Sequence, residues 1–472
     1  MDNRVAIPIP FIERLREQRG AELAESLIAS LDGTTPTSVR VNRDKEGARA
    51  LDSFESEAIG WSIDGYYLSE RPAFIFESAF HAGAYYVQEA SSQFISHILN
   101  SSDKSMRGAM ILDCCAAPGG KSTLYSSAVG REGLVVASEI NRSRASVLAD
   151  NVRRWGLGNV VVACCDTTHH SAFESFYDVV AVDAPCSGEG MFRKSDVARE
   201  EWSEDGVKVC AERQMDILMN VWGSLNSGGA LIYSTCTFNR EENEEVLERF
   251  IEWCDEGEIA SYEQIEIDEQ WGVERFDVGA FQCFRFMPHR SRGEGFFVAV
   301  ARKSFDVSSR LRMPRSSKRV FAPIGKGDVR ECSQWVCNPK EISFLAIGES
   351  IYGYYNAKLE QIKRLCESLN VIYSGVEIGE IIKGKLNPSP ALAHFADLNR
   401  ERVSIATLDR DNMLSYLRKE SVDVAPFTEG LNLVVDSQGY AVGFAKRIGN
   451  RVNNRYPNEL RIIKGSSHNS PK

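Results

Sequence analysis

The chain has 472 residues, of which 43% are hydrophobic and 26% are charged, and its formal net charge is −11. This length exceeds what one hydrophobic core supports, so we expect about two to four domains in a soluble protein. No apolar run approaches the ~18 residues that a membrane-spanning helix needs, and residues 1–10 lack the pattern of a signal peptide. We therefore expect a cytoplasmic protein without membrane contact.

The 12 cysteines include no CxxC pair and no neighbouring histidine cluster. This distribution argues against a zinc site and is typical of free thiols in a reducing compartment. We therefore predict that the protein holds no metal ion.

The charge is unevenly distributed along the chain. Residues 301–472 carry 27 Lys and Arg against 18 Asp and Glu, a net charge of +9, whereas residues 1–300 carry a net charge of −20. The acidic side chains are concentrated further in residues 241–280, where 15 of them stand beside two arginines. A basic half of this kind favours contact with a polyanion, although solvated faces also vary in charge without any such role.

Apolar spacing in the first 105 residues predicts a helix over 11–31, a strand over 38–42 and a helix over 84–99. Strands and helices then alternate, which predicts a parallel sheet with helices on both faces. The predicted strands are 109–113, 134–138, 159–163, 178–183, 229–234 and 295–302, and the predicted helices are 118–128, 141–154, 207–224 and 240–253.

After residue 304 the pattern changes. Residues 308–319 hold five basic residues and no acidic one, which indicates a connector. A mixed region with a helix near 357–368 follows, then a helix near 410–420 and a β-hairpin formed by 431–435 and 440–444. We therefore divide the chain into an N-terminal extension, a catalytic domain, a connector or middle region, a C-terminal module and a disordered tail, at 1–105, 106–304, 305–395, 396–465 and 466–472.

A glycine-containing loop leads from the first strand of the alternating region into a helix. It ends in Gly120-Lys121-Ser122, but a Walker A loop would need glycine where Cys115 stands, and no GxGxxG motif is present. A loop for a nucleoside ligand without a pyrophosphate remains. Glu139 and Asp166 end the next two strands, where they could bind a ribose hydroxyl and an adenine amino group; each could instead be a helix N-cap.

Two cysteines directly follow strands. Cys186 lies in the segment Asp-Ala-Pro-Cys-Ser-Gly and Cys236 in the segment Ser-Thr-Cys-Thr. The carboxyl ends of parallel strands share one edge of a sheet, so we expect both cysteines beside the nucleoside loop. A thiolate that adds to carbon 6 of cytosine activates carbon 5 toward a methyl sulfonium, and Asp183 is placed to meet the pyrimidine edge. A single cysteine in such a place could also be a small buried hydrophobe.

These segments together resemble the RsmB/NOP (Nop/Sun) family of RNA cytosine-5 methyltransferases, with most similarity to its bacterial RsmF branch. The resemblance spans nearly the whole chain and is most specific over 113–244. The matching segments are 81–92, 113–121, 183–194, 233–244, 443–447 and 453–457.

The resemblance implies binding of S-adenosylmethionine by the glycine loop. Glu139 would bind the ribose, Asp166 would lie near the adenine, and Asp183 would lie near the methionine end and the target base, while Arg144 matches a position near the cofactor. The loop residues are Cys115, Ala116, Ala117, Pro118, Gly119, Gly120 and Lys121.

The same resemblance implies that Cys236 is the nucleophile and that Cys186 assists proton removal and release of the methylated RNA. The pair Thr235-Cys236 favours the RNA class, because the related DNA enzymes place their nucleophile in the Pro-Cys motif.

The implied fold is α/β: a Rossmann-like class I methyltransferase domain with an N-terminal α+β RNA-binding extension and a C-terminal PUA-like β-rich module. We expect Lys446, Arg447, Arg451 and Arg455 of that module to bind RNA. The implied substrate is 16S rRNA near the decoding site, free or in the 30S subunit, acted on by a monomer. Two alternatives stay open, a tRNA cytosine-5 methyltransferase and an RNA-binding ribosome assembly factor.

Overall fold

The computed structural model describes residues 4–305, 311–314 and 320–463. Most of the predicted connector at 308–319 and all of the predicted tail at 466–472 lie outside the described residues. Within the described part, no helix combines the length and the apolar character needed to cross a bilayer.

The N-terminal extension is an α+β unit built on a four-stranded antiparallel sheet. Its strands lie in the order β2-β3-β1-β4, with α1 and α2 preceding them. The elements are α1 (Ile9–Arg19), α2 (Ala21–Leu31), β1 (Thr37–Val41), β2 (Ser56–Ala58), β3 (Gly65–Leu68), α3 (Ser78–His81), β4 (Tyr85–Tyr86) and α4 (Phe94–Asn100).

Two helix predictions for this unit were wrong in part. The helix predicted over 11–31 breaks at Gly20, whose φ of 83° and ψ of 157° end α1 and start α2 in a new direction. The helix predicted over 84–99 begins only at Phe94. Tyr85 and Tyr86 instead pair with β1, because aromatic residues suit a strand and a long-range partner is available.

The central domain is a twisted sheet whose five parallel strands were all predicted. Strands run in the order β11-β12-β13-β9-β8-β5-β6-β7, and the five from β9 to β7 are parallel. The elements are β5 (Met110–Cys114), α5 (Gly120–Val129), β6 (Leu134–Ser138), α6 (Arg142–Trp155), β7 (Val160–Ala163), β8 (Tyr177–Asp183), α7 (Asp196–Glu201), α8 (Glu204–Trp222), β9 (Leu225–Thr235), α9 (Glu244–Trp253), β10 (Ile259–Ala260), β11 (Glu274–Val278), β12 (Phe281–Phe286) and β13 (Phe296–Lys303).

The strand order of this sheet creates a crevice. From β5 the chain proceeds outward through β6 to β7, and it then returns to place β8 on the other side of β5. Ligands of open α/β sheets bind outside the carboxyl ends of the strands at such a reversal. The strands are almost entirely buried because helices cover both faces, which explains their continuous apolar runs.

The middle region forms a sheet of its own and also extends the central one. Strands β14-β15-β16-β18-β19 make a five-stranded sheet, while β17 pairs antiparallel with β7 at the free edge of the central sheet. The helix predicted near 357–368 is present as α11. The elements are β14 (Ala322–Pro323), α10 (Lys326–Ser333), β15 (Ile342–Ile347), β16 (Ser350–Tyr355), α11 (Leu359–Ser368), β17 (Val371–Ser374), β18 (Val376–Ile382), β19 (Lys385–Pro388) and α12 (Pro390–Ala393).

The C-terminal module is a four-stranded sheet in the order β20-β21-β22-β23, and it contains the predicted hairpin as β21 and β22. Its buried residues share one hydrophobic cluster with the N-terminal sheet. Ser78 Oγ also donates to Asp436 Oδ2 over 2.6 Å. The elements are β20 (Ser404–Thr407), α13 (Arg410–Arg418), β21 (Gly430–Val435), β22 (Ala441–Ile448) and β23 (Arg451–Asn454).

Part of the acidic charge in residues 241–280 is neutralised inside the protein. Glu244 is almost fully buried, with its Oε1 2.6 Å from Arg285 Nη2 and 3.2 Å from Arg19 Nη2. Glu263 forms an ion pair with Arg302 in the same way. The negative charge of this half is therefore not all presented to solvent.

Candidate active site

The loop after β5 turns sharply before α5 begins. Cys115 has a φ of 59° and Gly119 a φ of 110°, both in the left-handed region. A Cβ atom on Gly119 would lie 2.9 Å from Leu148 Cδ1 of α6. Glycine is therefore favoured here by the backbone conformation, and it lets the backbone of 115–120 come close to a ligand.

Glu139, at the end of β6, presents a buried carboxylate to this loop. Its Oε1 accepts from the Asn141 amide over 3.0 Å, while no residue in the described parts of the chain donates a hydrogen bond to Oε2. Arg144 Nη2 lies 3.4 Å from that oxygen and donates to Ala117 O over 3.1 Å. A buried acceptor without a hydrogen-bond donor is costly, so this oxygen can accept a hydrogen bond from a ligand, and its predicted contact with a ribose hydroxyl stays a prediction.

Asp166 follows β7 and caps a short 3₁₀ turn. Its Oδ1 accepts from the Thr168 amide over 2.8 Å, and this hydrogen bond lowers the pKa of Asp166. The capping role that the sequence left open is thus present for one oxygen, and a contact with adenine stays a prediction.

Lys121 and Asp183 connect the cofactor loop with the end of β8. Lys121 Nζ lies 2.8 Å from Asp183 Oδ2, and Ser234 Oγ donates to Asp183 Oδ1 over 2.9 Å. Burial is the largest single influence on Lys121 and disfavours its charged form, but Asp183, Asp113 and Cys236 together outweigh it and raise the pKa of the lysine. Lys121, predicted as a cofactor residue, thus also orients the carboxylate predicted to face the target base.

The structure brings the two predicted cysteines into direct contact. Cys186 Sγ and Cys236 Sγ are 3.2 Å apart, and the Cys236 amide donates to Cys186 Sγ over 3.3 Å. The hydrogen bond to Cys236 and then burial raise the pKa of Cys186 well above its usual value. Both thiols are half-buried, and Lys121 interacts electrostatically with Cys236. Two thiols, a carboxylate and an ammonium group therefore share one edge of the sheet.

A buried carboxylate that sequence reasoning missed joins the two cysteine loops. Glu189 follows Cys186 by three residues, and its Oε2 accepts from the amides of Phe238 and Asn239 over 2.8 and 3.0 Å. Its Oε1 accepts from Trp202 Nε1 over 3.1 Å and from Asn239 Nδ2 over 2.9 Å. Glu189 thereby fixes the segment after Cys236 relative to the segment after Cys186.

Glu242 forms a second link of the same kind. Its Oε1 accepts from the Ser187 amide over 2.8 Å and from Gln214 Nε2 over 3.0 Å, and its Oε2 accepts from Asn239 Nδ2 over 2.6 Å. Burial raises the pKa of Glu242. The acidic residues around 240–253 suggest an exposed helix face. In the sequence, Glu242 could therefore have been recognised only by its position directly after the cysteine motif.

Arg40, in the N-terminal extension, reaches the start of α5 and was also missed. It donates to Gln88 Oε1 over 2.7 Å, to Thr123 Oγ1 over 2.6 Å and to Gly120 O over 3.1 Å. Burial lowers the pKa of Arg40 to about 10. In the sequence, Arg40 could have been recognised as a charged residue between two valines of a predicted strand. Its hydrogen bonds attach the N-terminal extension to the start of α5, directly after the cofactor loop.

The four basic residues predicted to bind RNA differ in their surroundings. Lys446 and Arg451 are exposed on β22 and β23. Arg447 donates to Phe427 O over 2.6 Å and to Gly449 O over 2.8 Å, whereas Arg455 donates to Pro388 O over 3.0 Å. Lys446 and Arg451 are thus the better placed pair for a phosphate backbone.

Metal-ligating side chains do not cluster at this site. Among the residues that the structure describes, no group of three or more His, Cys, Asp or Glu side chains could hold a metal ion.

Three family models match successive parts of the chain. The N-terminal domain of 16S rRNA methyltransferase RsmF matches residues 7–90, 16S rRNA methyltransferase RsmB/F matches 97–302, and the methyltransferase RsmF PUA domain matches 404–462. The order and positions of these matches agree with the N-terminal sheet, the central domain and the C-terminal sheet of the structure.

Curated relatives align from end to end. The chain is 29% identical to ribosomal RNA small subunit methyltransferase F of Pectobacterium atrosepticum, over 99% of this chain and 98% of the relative. It is 28% identical to the protein of that name from Vibrio parahaemolyticus, over 98% of each.

Solved structures show the same fold. A methyltransferase homolog protein from Pyrococcus horikoshii superposes with a TM-score of 0.51 at 25% identity, over 62% of this chain and 94% of that one. NSun6 from P. horikoshii, solved with SFG, superposes with a TM-score of 0.52 at 20% identity, over 63% and 98%. The chain therefore belongs to the RsmB/F family of S-adenosylmethionine-dependent methyltransferases and carries the flanking domains of its RsmF members.

Proposed function

We propose that the protein methylates carbon 5 of a cytosine in small-subunit ribosomal RNA, near the decoding site, through a covalent bond between Cys236 and carbon 6 of the base. The observation that carries this proposal is the contact of Cys186 and Cys236 beside the cofactor loop. The small-subunit rRNA named for the curated relatives supports the choice of substrate.

The low reactivity of carbon 5 of cytosine explains why a site for its methylation needs a thiol nucleophile. This carbon is a weak nucleophile, and S-adenosylmethionine, when bound, supplies an electrophilic methyl group on a sulfonium. Addition of the Cys236 thiolate to carbon 6 moves electron density to carbon 5, which then takes the methyl group. Loss of the carbon-5 proton and expulsion of the thiolate restore the aromatic ring.

Asp183 orients the base for this addition. Its carboxylate is held from two sides by Lys121 and Ser234, and it remains about one-third exposed at 34% of its side-chain surface. A carboxylate in that place accepts a hydrogen bond from the exocyclic amine of cytosine. The base must leave its stack to reach this edge, so a loop or a flipped nucleotide is the expected substrate.

Cys186 acts in the second half of the reaction. Because the hydrogen bond to Cys236 and burial raise its pKa, the Cys186 thiol keeps its proton while Cys236 attacks. The adduct must then lose its carbon-5 proton, and Cys186 Sγ lies next to the sulfur that holds the base. Cys186 therefore assists proton removal and release of the methylated RNA.

The experiment is methyl transfer from labelled S-adenosylmethionine to unmodified small subunits, free small-subunit rRNA and bulk tRNA. Wild type is compared with Cys236→Ala and Cys186→Ala. We expect transfer by wild type to one of the small-subunit substrates, no transfer by Cys236→Ala, and a denaturant-resistant protein–RNA adduct with Cys186→Ala.

Each alternative has its own outcome in this experiment. Transfer to tRNA alone would identify a tRNA methyltransferase with the same chemistry. Absence of transfer to every RNA, together with full complementation of a deletion strain by Cys236→Ala, would identify an assembly factor. Normal turnover by Cys186→Ala without an adduct would remove Cys186 from the mechanism.

A further inference from the structure

Cys236 lies in the turn between β9 and α9. It directly follows Thr235, the last residue of β9, and α9 begins at Glu244. The backbone of Cys236 is joined to the segment of the other cysteine, because its amide donates to Cys186 Sγ over 3.3 Å and its carbonyl accepts from the Gly190 amide over 2.8 Å. The residues on either side of Cys236 are held by a different group.

Asn243 holds both neighbours of Cys236. Its Oδ1 accepts from Thr235 Oγ1 over 2.6 Å, and its Nδ2 donates to the Thr237 carbonyl over 3.1 Å. A carbonyl oxygen can only accept a hydrogen bond, so the contact with Thr237 determines the orientation of the amide. All three residues are 0% exposed, and water therefore does not compete for these hydrogen bonds. One buried side chain thus connects the residue before Cys236 with the residue after it.

The place of Asn243 in the chain would normally give its side chain another task. Asn243 is the N-cap of α9, and an asparagine there usually accepts from an amide in the first turn of the helix. Among the described residues, no amide of α9 donates to this side chain, and the φ of −112° and ψ of −89° lie outside the extended conformation typical of an N-cap. Such departures from a local rule concentrate at functional sites.

Thr237 extends these contacts to the segment of the second cysteine. Thr237 Oγ1 lies 2.9 Å from Oγ of Ser187, the residue that follows Cys186. On the other side, Thr235 belongs to the central sheet. The amide of Asn243 therefore links the turn of the nucleophile with the sheet and with the Cys186 segment at the same time.

We propose that Asn243 is a positioning residue for methyl transfer: it holds Thr235 and Thr237 and thereby fixes the place of the Cys236 sulfur for its attack on carbon 6 of the base. Such an attack depends on alignment, and a displacement of about 1 Å can slow a reaction on the order of 100-fold. Asn243 acts through Cys236 and not on the substrate. This role rests on the function proposed above and belongs to its thiol-addition step.

Asn243→Ala and Asn243→Asp are compared with wild type in methyl transfer by the full-length protein. Asn159→Asp is the matched control, because Asn159 is equally buried directly before β7, where its Oδ1 accepts from Ser126 Oγ and its Nδ2 donates to the Gly130 carbonyl over 2.8 Å. We expect both Asn243 variants to lower kcat about ten-fold or more, with the KM for RNA and the Kd of S-adenosylmethionine within about two-fold of wild type. Asn159→Asp should keep the wild-type kcat.

Asn243→Asp should also show a pH profile that a loss of stability would not produce. A protonated carboxyl group can donate to the Thr237 carbonyl as the amide does, whereas an ionised one places a second acceptor against it. Burial raises the pKa of a carboxyl group, so the protonated form persists toward neutral pH. The ratio of the variant kcat to the wild-type kcat should therefore rise several-fold from about pH 8 to about pH 6. The same ratio for Asn243→Ala should stay constant.

Formation of the covalent adduct isolates the addition step. In the Cys186→Ala background, where the adduct is expected to accumulate, Asn243→Ala should slow its formation about ten-fold or more. Wild-type kcat in both Asn243 variants, while wild type methylates RNA normally, would overturn this proposal and leave the proposed function standing. An equal loss of kcat in Asn159→Asp would also overturn it, because the loss would then reflect a general weakening of the fold.

Hydrogen exchange decides the proposal if wild type methylates no RNA. Exchange of the amides of residues 235–238 is followed by mass spectrometry in the folded protein without RNA. Asn243→Ala should accelerate this exchange about ten-fold or more, while Asn159→Asp should leave it at the wild-type rate. Unchanged exchange in Asn243→Ala would show that the amide does not hold the turn around Cys236, and it would overturn the proposal.

Discussion

Replacing Glu189 by glutamine should separate the two cysteine loops. The carboxylate accepts hydrogen bonds from four N–H groups, two at each oxygen, and 1% of the residue surface is exposed. Glutamine has nearly the same shape, but its amide nitrogen donates hydrogen bonds instead of accepting them. In either orientation of the amide, two of the four donors would face another N–H group.

The expected cost follows from these contacts. A buried donor that loses its acceptor costs ~1–3 kcal/mol. With the amide nitrogen facing Trp202, only Trp202 is left without an acceptor, because Asn239 Nδ2 also donates to Glu242 Oε2, so the free energy of unfolding should fall by ~1–3 kcal/mol. Asn239 loses an acceptor in either orientation, either for its amide or for its side chain. The loop after Cys236 should therefore loosen, and methyl transfer should fall at least ten-fold while S-adenosylmethionine still binds.

Urea unfolding and methyl-transfer rates would measure the global effect, and hydrogen exchange of residues 236–243 would measure the local one. Glu200→Gln on α7 makes the same chemical change at an exposed position and serves as the control. The free energy of unfolding of Glu189→Gln could instead lie within ~0.5 kcal/mol of the wild-type value, with methyl transfer at the wild-type rate. That result would show that the buried carboxylate does not hold the two loops together.

Three further changes test other parts of the structure. Burial raises the pKa of Asp113 to about 7, so the folded state binds this proton more tightly than the unfolded state, and the contribution of Asp113 to the free energy of unfolding should fall as pH rises from about 4 to about 7. Asp113→Asn should remove that dependence in urea unfolding curves measured across this range; an unchanged slope would contradict it. Gly119→Ala should weaken S-adenosylmethionine binding in calorimetry, because a Cβ is strained at a φ of 110° and Leu148 Cδ1 must also move to make room for it; wild-type affinity would show that the loop can shift. The double variant Lys446→Ala/Arg451→Ala should weaken RNA binding and reduce its salt dependence by about one to two charges, without changing cofactor affinity; an equal salt slope would exclude these residues from the RNA interface.

The sequence alone predicted the alternating strands and helices of the central domain and the meeting of its two cysteines. Strands buried on both faces must be continuously apolar, so the alternation of strands and helices between 109 and 302 was visible directly. Cys186 and Cys236 each follow such a strand, and parallel strands bring their carboxyl ends to one edge. The meeting of the two thiols at 3.2 Å is the consequence.

Only the tertiary structure decided how the flanking regions attach to this domain. β17 joins the central sheet at β7, and the N-terminal and C-terminal sheets share one hydrophobic cluster, although hundreds of residues separate them in the chain. Local periodicity carries no information about such partners, because any apolar face can bury against any other.

The tertiary structure also decided which charged groups lie inside. From the sequence, solvent exposure is the expected state of three charged residues, Glu189, Glu242 and Arg40. In the structure each of them is buried and forms several hydrogen bonds with groups from other segments of the chain. A buried charge is stable only when such partners surround it. Those partners exist only after the chain has folded, so the residues that hold the cysteine loops and the cofactor loop in place could be recognised only in three dimensions.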